Sequence, residues 1–234
     1  MIRRLLVLGS LALLGGCPSR TTPLSPASTI DEQTALQWAL SSDSRYTFDV
    51  RTRRGDEEHS AAWTFQVRER RPNDAIISMW RDGDDAGQLT VRPDGRLVGA
   101  SDVFSDALAQ RTVWLQLPRR AVRIGDAWDD PQLVRPFVDL LPVGTAESVV
   151  SESRVVGLTE RDGEQTAIID SEASVRLQGR VVIEVEGRAY FDPVLGRLIS
   201  RELTARFHGS SQADTLFVAV HHTGGLRTRP GGRP

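Results

Sequence analysis

Cys17 is the only cysteine of the chain, and the residues before it predict a specific chemistry for its thiol. Two arginines stand near the start, residues 5–14 are apolar, and two glycines end at Gly16. A basic start, an apolar run and small residues before a cleavage point are the parts of a secretory signal. The apolar run is about half the ~20 residues that a membrane-spanning helix needs. We therefore predict that residues 1–16 are a signal peptide and that cleavage leaves Cys17 first.

The stretch Leu14-Gly15-Gly16-Cys17 resembles the processing site of bacterial lipoproteins. The resemblance implies that signal peptidase II cuts between Gly16 and Cys17, and that Cys17 carries a diacylglyceryl thioether and an N-acyl chain such as palmitate. Each buried methylene contributes about 0.8 kcal/mol, so two or more chains hold a protein at a membrane. An acylated sulfur cannot form a disulfide, act as a nucleophile or bind a metal. The alternative is an ordinary signal peptide with an incidental cysteine.

The residues after Cys17 indicate a tether and a location. Residues 17–28 are rich in Pro, Ser and Thr and are predicted to form the lipidated cysteine and a flexible linker. Pro18 stands where the sorting rule of enteric bacteria has Asp for inner-membrane retention, so resemblance to that rule favours the periplasmic face of the outer membrane. Removal of the signal lowers the formal charge from −2 to −4, which argues against a nucleic-acid partner.

The other residues that could do chemistry do not form a recognisable site. A calcium loop needs a carboxylate at its twelfth position. If such a loop began in the acidic cluster at 82–85, with Asp82 as its first residue, its twelfth residue would be Pro93. His221 and His222 are adjacent on a predicted strand, so their side chains point to opposite faces. Serine-nucleophile, phosphate-loop and zinc-helix motifs are absent from the sequence. We therefore predict no catalytic residue, no metal site, no cofactor and no enzyme activity.

Alternation of apolar and polar residues dominates the rest of the chain. From Val181 to Phe191 every second residue is apolar or small, a period that predicts a strand with one buried and one wet face. Runs of this kind recur between turns that contain Asp-Gly or Pro-Asp-Gly. The predicted fold is mainly β: a long-stranded antiparallel meander that forms a curved sheet, a half-barrel or a barrel.

We expect a single β-rich domain over residues 29–223. Two meander halves, at about 29–101 and 142–223, are joined by a segment with one short helix near 102–110. The tail 224–234 has no apolar periodicity and is predicted to be disordered.

Two short stretches with alternating apolar residues add local predictions. A strand is favoured over 35–41, although the capping-box pattern at 29–32 leaves a helix open. A second strand is predicted over 113–117, where Val113, Leu115 and Leu117 alternate.

The segment from Leu117 to Trp128 carries the pattern Leu-Pro, three residues, Val, two residues, Gly-Asp-x-Trp. This pattern resembles one in uncharacterised bacterial envelope proteins, many of them predicted lipoproteins with a mostly β domain. The structural interpretation is a turn at Gly-Asp and a tryptophan that plugs the open end of a sheet. The alternative is a ligand-lining role for Trp128, shared with Trp114, Phe191 and Phe207.

The predicted architecture also resembles lipoprotein carriers of the LolA, LolB and LppX type, in which a curved half-barrel wraps helices and holds lipid. We first expect a non-catalytic binding or structural module of the cell envelope, anchored through the lipid on Cys17, whose partners are the membrane and another envelope protein. The alternative is a carrier of a lipid or other hydrophobic ligand, and a third hypothesis is a hydrolase whose residues meet only in three dimensions.

Overall fold

The computed structural model describes residues 33–42, 44–100, 107–138, 148–161, 164–209 and 214–224. The predicted signal peptide, Gly16, Cys17, the tether and the tail beyond Gly224 lie outside these residues. No helix of the described residues is long and apolar enough to cross a membrane.

Strands make up most of the described chain, as the alternation predicts. The described residues form eleven strands: β1 (Arg45–Arg54), β2 (Glu57–Arg70), β3 (Ala75–Arg81), β4 (Asp84–Val91), β5 (Leu97–Ala100), β6 (Ala127–Trp128), β7 (Ser148–Arg161), β8 (Glu164–Leu177), β9 (Arg180–Asp192), β10 (Arg197–Phe207) and β11 (Asp214–Gly224). They pair antiparallel in one curved, unclosed sheet with the order β5-β4-β3-β2-β1-β11-β10-β9-β8-β7-β6. The prediction of a mainly β, long-stranded antiparallel fold is confirmed, and the sheet is open rather than a closed barrel.

The two faces of the sheet have the chemistry that period two predicts. On the inner face, residues such as Phe65 on β2 and Val185 on β9 are buried in one continuous apolar core. On the outer face, charged side chains pair across strands. For example, Nε and Nη2 of Arg188 donate to the two carboxylate oxygens of Asp170, at 2.7 and 2.8 Å. Exposed ion pairs contribute little stability each, so burial of the inner face holds the sheet together.

The first and last described strands meet in the middle of the sheet. β11 pairs with β1 on one side and with β10 on the other. The two edges are short strands, the four-residue β5 and the two-residue β6. Short edge strands limit the unpaired backbone that a sheet exposes.

Residues 33–42, here called the N-terminal segment, run extended across the inner face. The prediction of a strand over 35–41 is wrong. Leu36, Trp38 and Leu40 alternate and are buried, but the segment bonds to turns instead of to a strand. Trp38 N donates to the carbonyl of Pro93 at 2.9 Å, and the next amide donates to the carbonyl of Gly196 at 2.8 Å. The alternation of apolar and polar residues therefore indicates which side chains are buried. It does not indicate whether the backbone of those residues pairs with a strand.

Residues 107–138, here called the inner segment, also cover the inner face. They contain two short helices, α1 (Ala107–Val113) and α2 (Arg135–Val138). The helix predicted near 102–110 overlaps α1, and residues 101–106 lie outside the described chain.

The prediction of a strand over 113–117 is wrong. Val113 ends α1, and the amide of Leu117 donates to the carbonyl of Asp94 in a turn rather than to a strand. Val113, Leu115 and Leu117 are buried in the core, so their alternation again reports burial.

Candidate functional site

The sheet has two distinct ends, which the turns define. The turns at 71–74, 92–96 and 193–196 form the end here called the closed end, where the N-terminal segment is bonded. The turns at 55–56 and 82–83 form the opposite end, here called the open end.

Trp114 and Phe191, two of the predicted ligand-lining residues, lie in the aromatic core near the closed end. Both are fully buried. Each ring contacts Trp38, with ring centroids 4.5 and 5.5 Å apart, and Trp38 Nε1 donates to the carbonyl of Leu115 at 3.0 Å. Interlocked aromatic rings of this kind make a close-packed core. These two side chains therefore pack the N-terminal segment and the inner segment onto the sheet.

The other two predicted residues, Trp128 and Phe207, are partly buried and pack against the margin of the apolar core, on different strands. Trp128 is half-buried on the edge strand β6 and donates from Nε1 to the carbonyl of Gln116 at 3.0 Å. Phe207 is half-buried at the end of β10, opposite Ile183. The structure thus brings Trp114 and Phe191 together and leaves Trp128 and Phe207 at separate places.

A cavity of about 350 Å³ opens between α1 and the sheet at the open end. We call it the open-end cleft. It is lined by Val50, Thr52, His59, Ser60, Ala61, Trp63, Arg81, Leu108 and Ala109. Its volume lies at the lower end of the ~300–1,000 Å³ range typical of small-molecule sites.

The strand register explains why the cleft has apolar walls. Val50 stands opposite Ala61 and Thr52 stands opposite His59, so the inward-facing residues of β1 and β2 form one wall. Trp63 extends that wall; it is fully buried and stacks on Phe65 with an interplanar angle of 18°.

Two neighbouring positions of α1, Leu108 and Ala109, face the cleft from the other side. Ala109 is small, and a small side chain leaves space where a larger one would fill the gap between helix and sheet.

Polar groups stand at the rim of the cleft. Arg81 Nε lies 3.7 Å from the carboxylate of Asp82, and that carboxylate also accepts the amide of Ala62 at 2.8 Å. His59 is exposed on β2. The arrangement offers an apolar interior with cationic and hydrogen-bonding groups at its mouth, which suits a ligand with one apolar and one polar end.

A buried polar cluster that the sequence motifs did not reveal joins the inner segment to the sheet. Arg201 Nη2 lies 3.8 Å from Asp130 Oδ2, and both side chains are almost fully buried. Arg201 Nη1 donates to the carbonyl of Thr112 at 3.0 Å, and the hydroxyl of Ser153 donates to Asp130 Oδ2 at 3.2 Å. The Ser153 hydroxyl also bonds that of Ser171 at 2.8 Å.

The electrostatics of this cluster are those of a buried ion pair. Burial raises the pKa of Asp130, and the charge of Arg201 and the hydrogen bond from Ser153 oppose that rise. Burial likewise lowers the pKa of Arg201, against the charge of Asp130. Removal of one partner would leave an uncompensated buried charge, so the pair holds β10 and the inner segment together. Its burial keeps it from any substrate.

One sequence signal points to this cluster. Arg201 interrupts the apolar alternation of β10 between Ile199 and Leu203. In the structure the register of β10 against β9 shifts between Leu198 and Ser200, and Arg201 turns inward directly after that shift.

The described residues offer no arrangement of three or more His, Cys, Asp or Glu side chains that could bind a metal.

No protein-family model matches the chain, and no curated protein matches its sequence. Solved structures resemble it, among them the following three. A protein of Bacteroides fragilis, described as exported and as having a YmcC-like fold, is 9% identical over 81% of this chain and 100% of its own, with a TM-score of 0.38. Rv2717c from M. tuberculosis is 8% identical over 80% of this chain and 94% of its own, with a TM-score of 0.30. A DUF1329 family protein from Desulfovibrio piger is 10% identical over 78% of this chain and 86% of its own, with a TM-score of 0.23.

Proposed function

We propose that this chain is a non-catalytic binding protein of the bacterial cell envelope, anchored to a membrane by acyl chains on Cys17, that takes an apolar ligand into the open-end cleft. The observation that carries the binding function is the cavity of about 350 Å³ between α1 and the inner face of the sheet. The anchor rests on the signal-like sequence before Cys17. The ligand class that fits is an acyl chain with a polar or anionic end.

The chemistry of the walls supports an acyl ligand. Val50, Trp63 and Leu108 offer apolar surface to a chain, and each buried methylene of a ligand gains about 0.8 kcal/mol. Arg81 and His59 at the rim can hydrogen-bond a polar end that stays near water.

A binding role fits this cleft better than a hydrolytic one. His59 is the imidazole of the lining, Thr52 and Ser60 supply the hydroxyls, and the lining contains no carboxylate to orient the imidazole. His59 and Ser60 do not form a base–nucleophile pair. They are neighbours on β2, and adjacent side chains of a strand point to opposite faces. The described lining residues therefore do not form the nucleophile, base and orienting group that hydrolysis requires.

A cleft-filling variant with a matched control tests the ligand site. Ala61 is half-buried and lines the cleft, whereas its neighbour Ala62 is exposed and stands outside the lining. We expect Ala61→Phe to lose most of the lipid that co-purifies with the wild-type chain, because the new ring occupies the space of the ligand. Ala62→Phe should keep that lipid. The measurement is native mass spectrometry of the chains purified from membranes in a neutral detergent.

Two results would contradict the ligand proposal. One is a wild-type chain that carries no lipid or other apolar molecule after mild extraction. The other is an Ala61→Phe variant that carries the same ligand in the same proportion as Ala62→Phe.

A separate variant tests the anchor. Cys17→Ser removes the sulfur that the thioether needs, so we expect the chain to move from the membrane fraction to the soluble fraction. Gly16→Ala keeps a small residue before the cysteine and should remain in the membrane fraction. Fractionation followed by intact mass measurement shows both the location and the added acyl mass. Retention of Cys17→Ser in the membrane would show that acylation of Cys17 is not the anchor.

A second candidate function is the docking of another envelope protein, and β7 is the observation that favours it. Among the described residues, β6 pairs with only two residues of β7, Ser153 and Arg154. Val149 and Val150, at the start of β7, are 45% and 63% exposed. Residues 148–152 of β7 thus have no described strand beside them on the β6 side, and exposed apolar side chains next to such an open backbone edge are typical of strand-addition interfaces. Crosslinking from position 150 in intact cells would identify such a partner, and its absence would favour the ligand-binding function alone.

A further inference from the structure

The closed end of the sheet holds a second cavity, of about 450 Å³, on a different part of the surface from the open-end cleft. We call it the closed-end pocket. Its lining residues are Gln37, Pro72, Asn73, Arg92, Pro93, Asp94, Pro118 and Arg119. They come from the N-terminal segment, the β2–β3 turn, the β4–β5 turn and the inner segment, so four parts of the chain meet there.

The backbone of this pocket is held in a defined shape. Three of its lining residues are prolines, and the ring of each proline fixes its φ angle near −65°. Hydrogen bonds join the segments: Trp38 N donates to the carbonyl of Pro93 at 2.9 Å, and Leu117 N donates to that of Asp94 at 2.7 Å. A site that is formed before its ligand arrives loses little conformational entropy on binding.

The polar side chains of the pocket carry an excess of positive charge. Arg92 and Arg119 face one carboxylate, that of Asp94. Both oxygens of Asp94 are already engaged, since Oδ1 accepts the amide of Arg96 at 3.1 Å and Oδ2 accepts Nε of Arg119 at 3.0 Å. Asp94 therefore positions Arg119, and the lining contains no second carboxylate to pair with Arg92.

Arg119 is held in place and still reaches solvent. Its side chain is 63% exposed, whereas that of Asp94 is 11% exposed. The bond to Asp94 uses Nε, and a guanidinium carries five N–H donors. The end of the Arg119 side chain thus presents donors at the mouth of the pocket.

Arg92 supplies the observation that points to a ligand. Its Nε is buried and has no hydrogen-bond partner among the described residues. A buried donor without a partner is costly, and the cost is greater for a charged group. Arg92 lines the pocket, and an anion bound to its guanidinium group there would offset that cost. Gln37 and Asn73 add side-chain amide donors to the same pocket.

We propose that the closed-end pocket binds a phosphate group through Arg92 and Arg119, with Gln37 and Asn73 as further donors. A phosphate has three or four acceptor oxygens and suits paired guanidinium groups, which bind it in a bidentate manner. The phosphate can belong to a phospholipid headgroup or be free inorganic phosphate. This site does not depend on the open-end cleft, and it stands or falls separately from the acyl-binding function.

The experiment uses the full-length chain in neutral detergent, with ¹⁵N-labelled arginine, and follows the Nε–Hε signal of Arg92 by NMR. Inorganic phosphate is one titrant. Phosphatidylglycerol in mixed micelles is the second, and diacylglycerol, which has the same chains without phosphate, is its control. We expect a saturable shift of the Arg92 signal. Saturation by inorganic phosphate identifies a free anion as a ligand, whereas a response to phosphatidylglycerol alone identifies the headgroup.

Two variants separate recognition from folding. Arg119→Gln removes an exposed cation without disturbing the core and should weaken binding by at least about tenfold. Arg180→Gln removes an exposed cation on β9, outside the pocket, and should leave binding unchanged.

The proposal is overturned by the absence of a saturable shift with both phosphate compounds. An equal response to diacylglycerol, or equal affinities in wild type and Arg119→Gln, would also overturn it.

Discussion

His222 shows how burial sets the behaviour of a single side chain. It lies on β11 opposite Phe48, and the two rings meet edge to face at 5.4 Å. Burial lowers the pKa of His222 from 6.5 to about 4, and the positive charge of Arg197 acts in the same direction. The imidazole is therefore neutral in the folded protein at neutral pH.

This lowered pKa predicts a loss of stability in mild acid. The unfolded chain takes up a proton at His222 near its ordinary pKa of 6.5, whereas the folded chain resists protonation until about pH 4. The free energy of unfolding therefore falls as the pH drops through this window. Between pH 7 and 5 we expect His222 to account for a loss of about 1 kcal/mol, after allowance for the water that reaches the ring.

Urea unfolding at both pH values checks this prediction. In His222→Gln the loss between pH 7 and 5 should be smaller by about 1 kcal/mol than in the wild type. In His221→Gln, a change at the exposed neighbouring position, the loss of stability between pH 7 and 5 should equal that of the wild type. A His222→Gln curve parallel to the wild-type curve would show that the ring is not shielded from protons.

At the scale of elements, the closed end depends on close approaches of backbone segments at glycines, of which Gly95 is one. Gly95 has a φ angle of +77°, and a Cβ atom there would lie 2.0 Å from the carbonyl oxygen of Leu115 and 2.7 Å from Trp38 Nε1. Gly179, in the β8–β9 turn, has a similar φ of +72° with no atom within 4 Å of the added carbon. The two positions differ in packing and hardly in backbone conformation.

The pair predicts different costs for the same substitution. Gly179→Ala should lower the free energy of unfolding by about 1 kcal/mol, which is the strain of a left-handed alanine. Gly95→Ala should cost about 3 kcal/mol, because the inner segment and Trp38 must also move away. Urea unfolding of both variants gives the comparison. Equal costs would mean that the N-terminal segment and the inner segment adapt without loss.

The same elements show what alternation can and cannot predict. The long runs on β9 and β10 were predictable because their polar faces are wet and their apolar faces meet a core. In the N-terminal segment Leu36, Trp38 and Leu40 satisfy the same pattern, yet their backbone bonds to turns. A side-chain pattern contains no information about the partner of an amide group. The pairing of this segment follows from where the 92–96 and 193–196 turns lie in three dimensions.

The candidate sites were less predictable than the fold, for a physical reason. Large aromatic residues fill cores and line ligand sites alike, so composition could not distinguish Trp114 in the core from Trp63 at the cleft. The open-end cleft lies between the β1–β2 hairpin and α1, which contacts β10 and β11, so it joins residues about fifty positions apart. Only Arg201 gave an advance signal, since a charge on an apolar face must find a partner.

At the scale of the whole molecule, β11 joins the two meander halves. Phe48 of β1 stands opposite His222, so the centre of the sheet forms only when distant parts of the chain meet. Pairings of high sequence separation are slow to form, and we infer that the pairing of β1 with β11 forms late in folding. Without β11, the strands β1–β5 and β7–β10 would have no pairing with each other.

A chain that ends at Gly209 is therefore expected to lose cooperative unfolding. It lacks the buried residues Leu216, Val218 and Val220, whose burial contributes about 6 kcal/mol, a figure comparable with the whole stability of a domain. A chain that ends at Gly224 keeps β11, and its free energy of unfolding should lie within about 0.5 kcal/mol of that of the full chain.

A synthetic peptide of residues 210–224, added to the shorter chain, should restore a cooperative transition by pairing with β1 and β10. Circular dichroism against urea, with and without the peptide, measures this. A cooperative transition of the Gly209 chain alone, at the wild-type midpoint, would show that each half of the sheet is stable without the central strand.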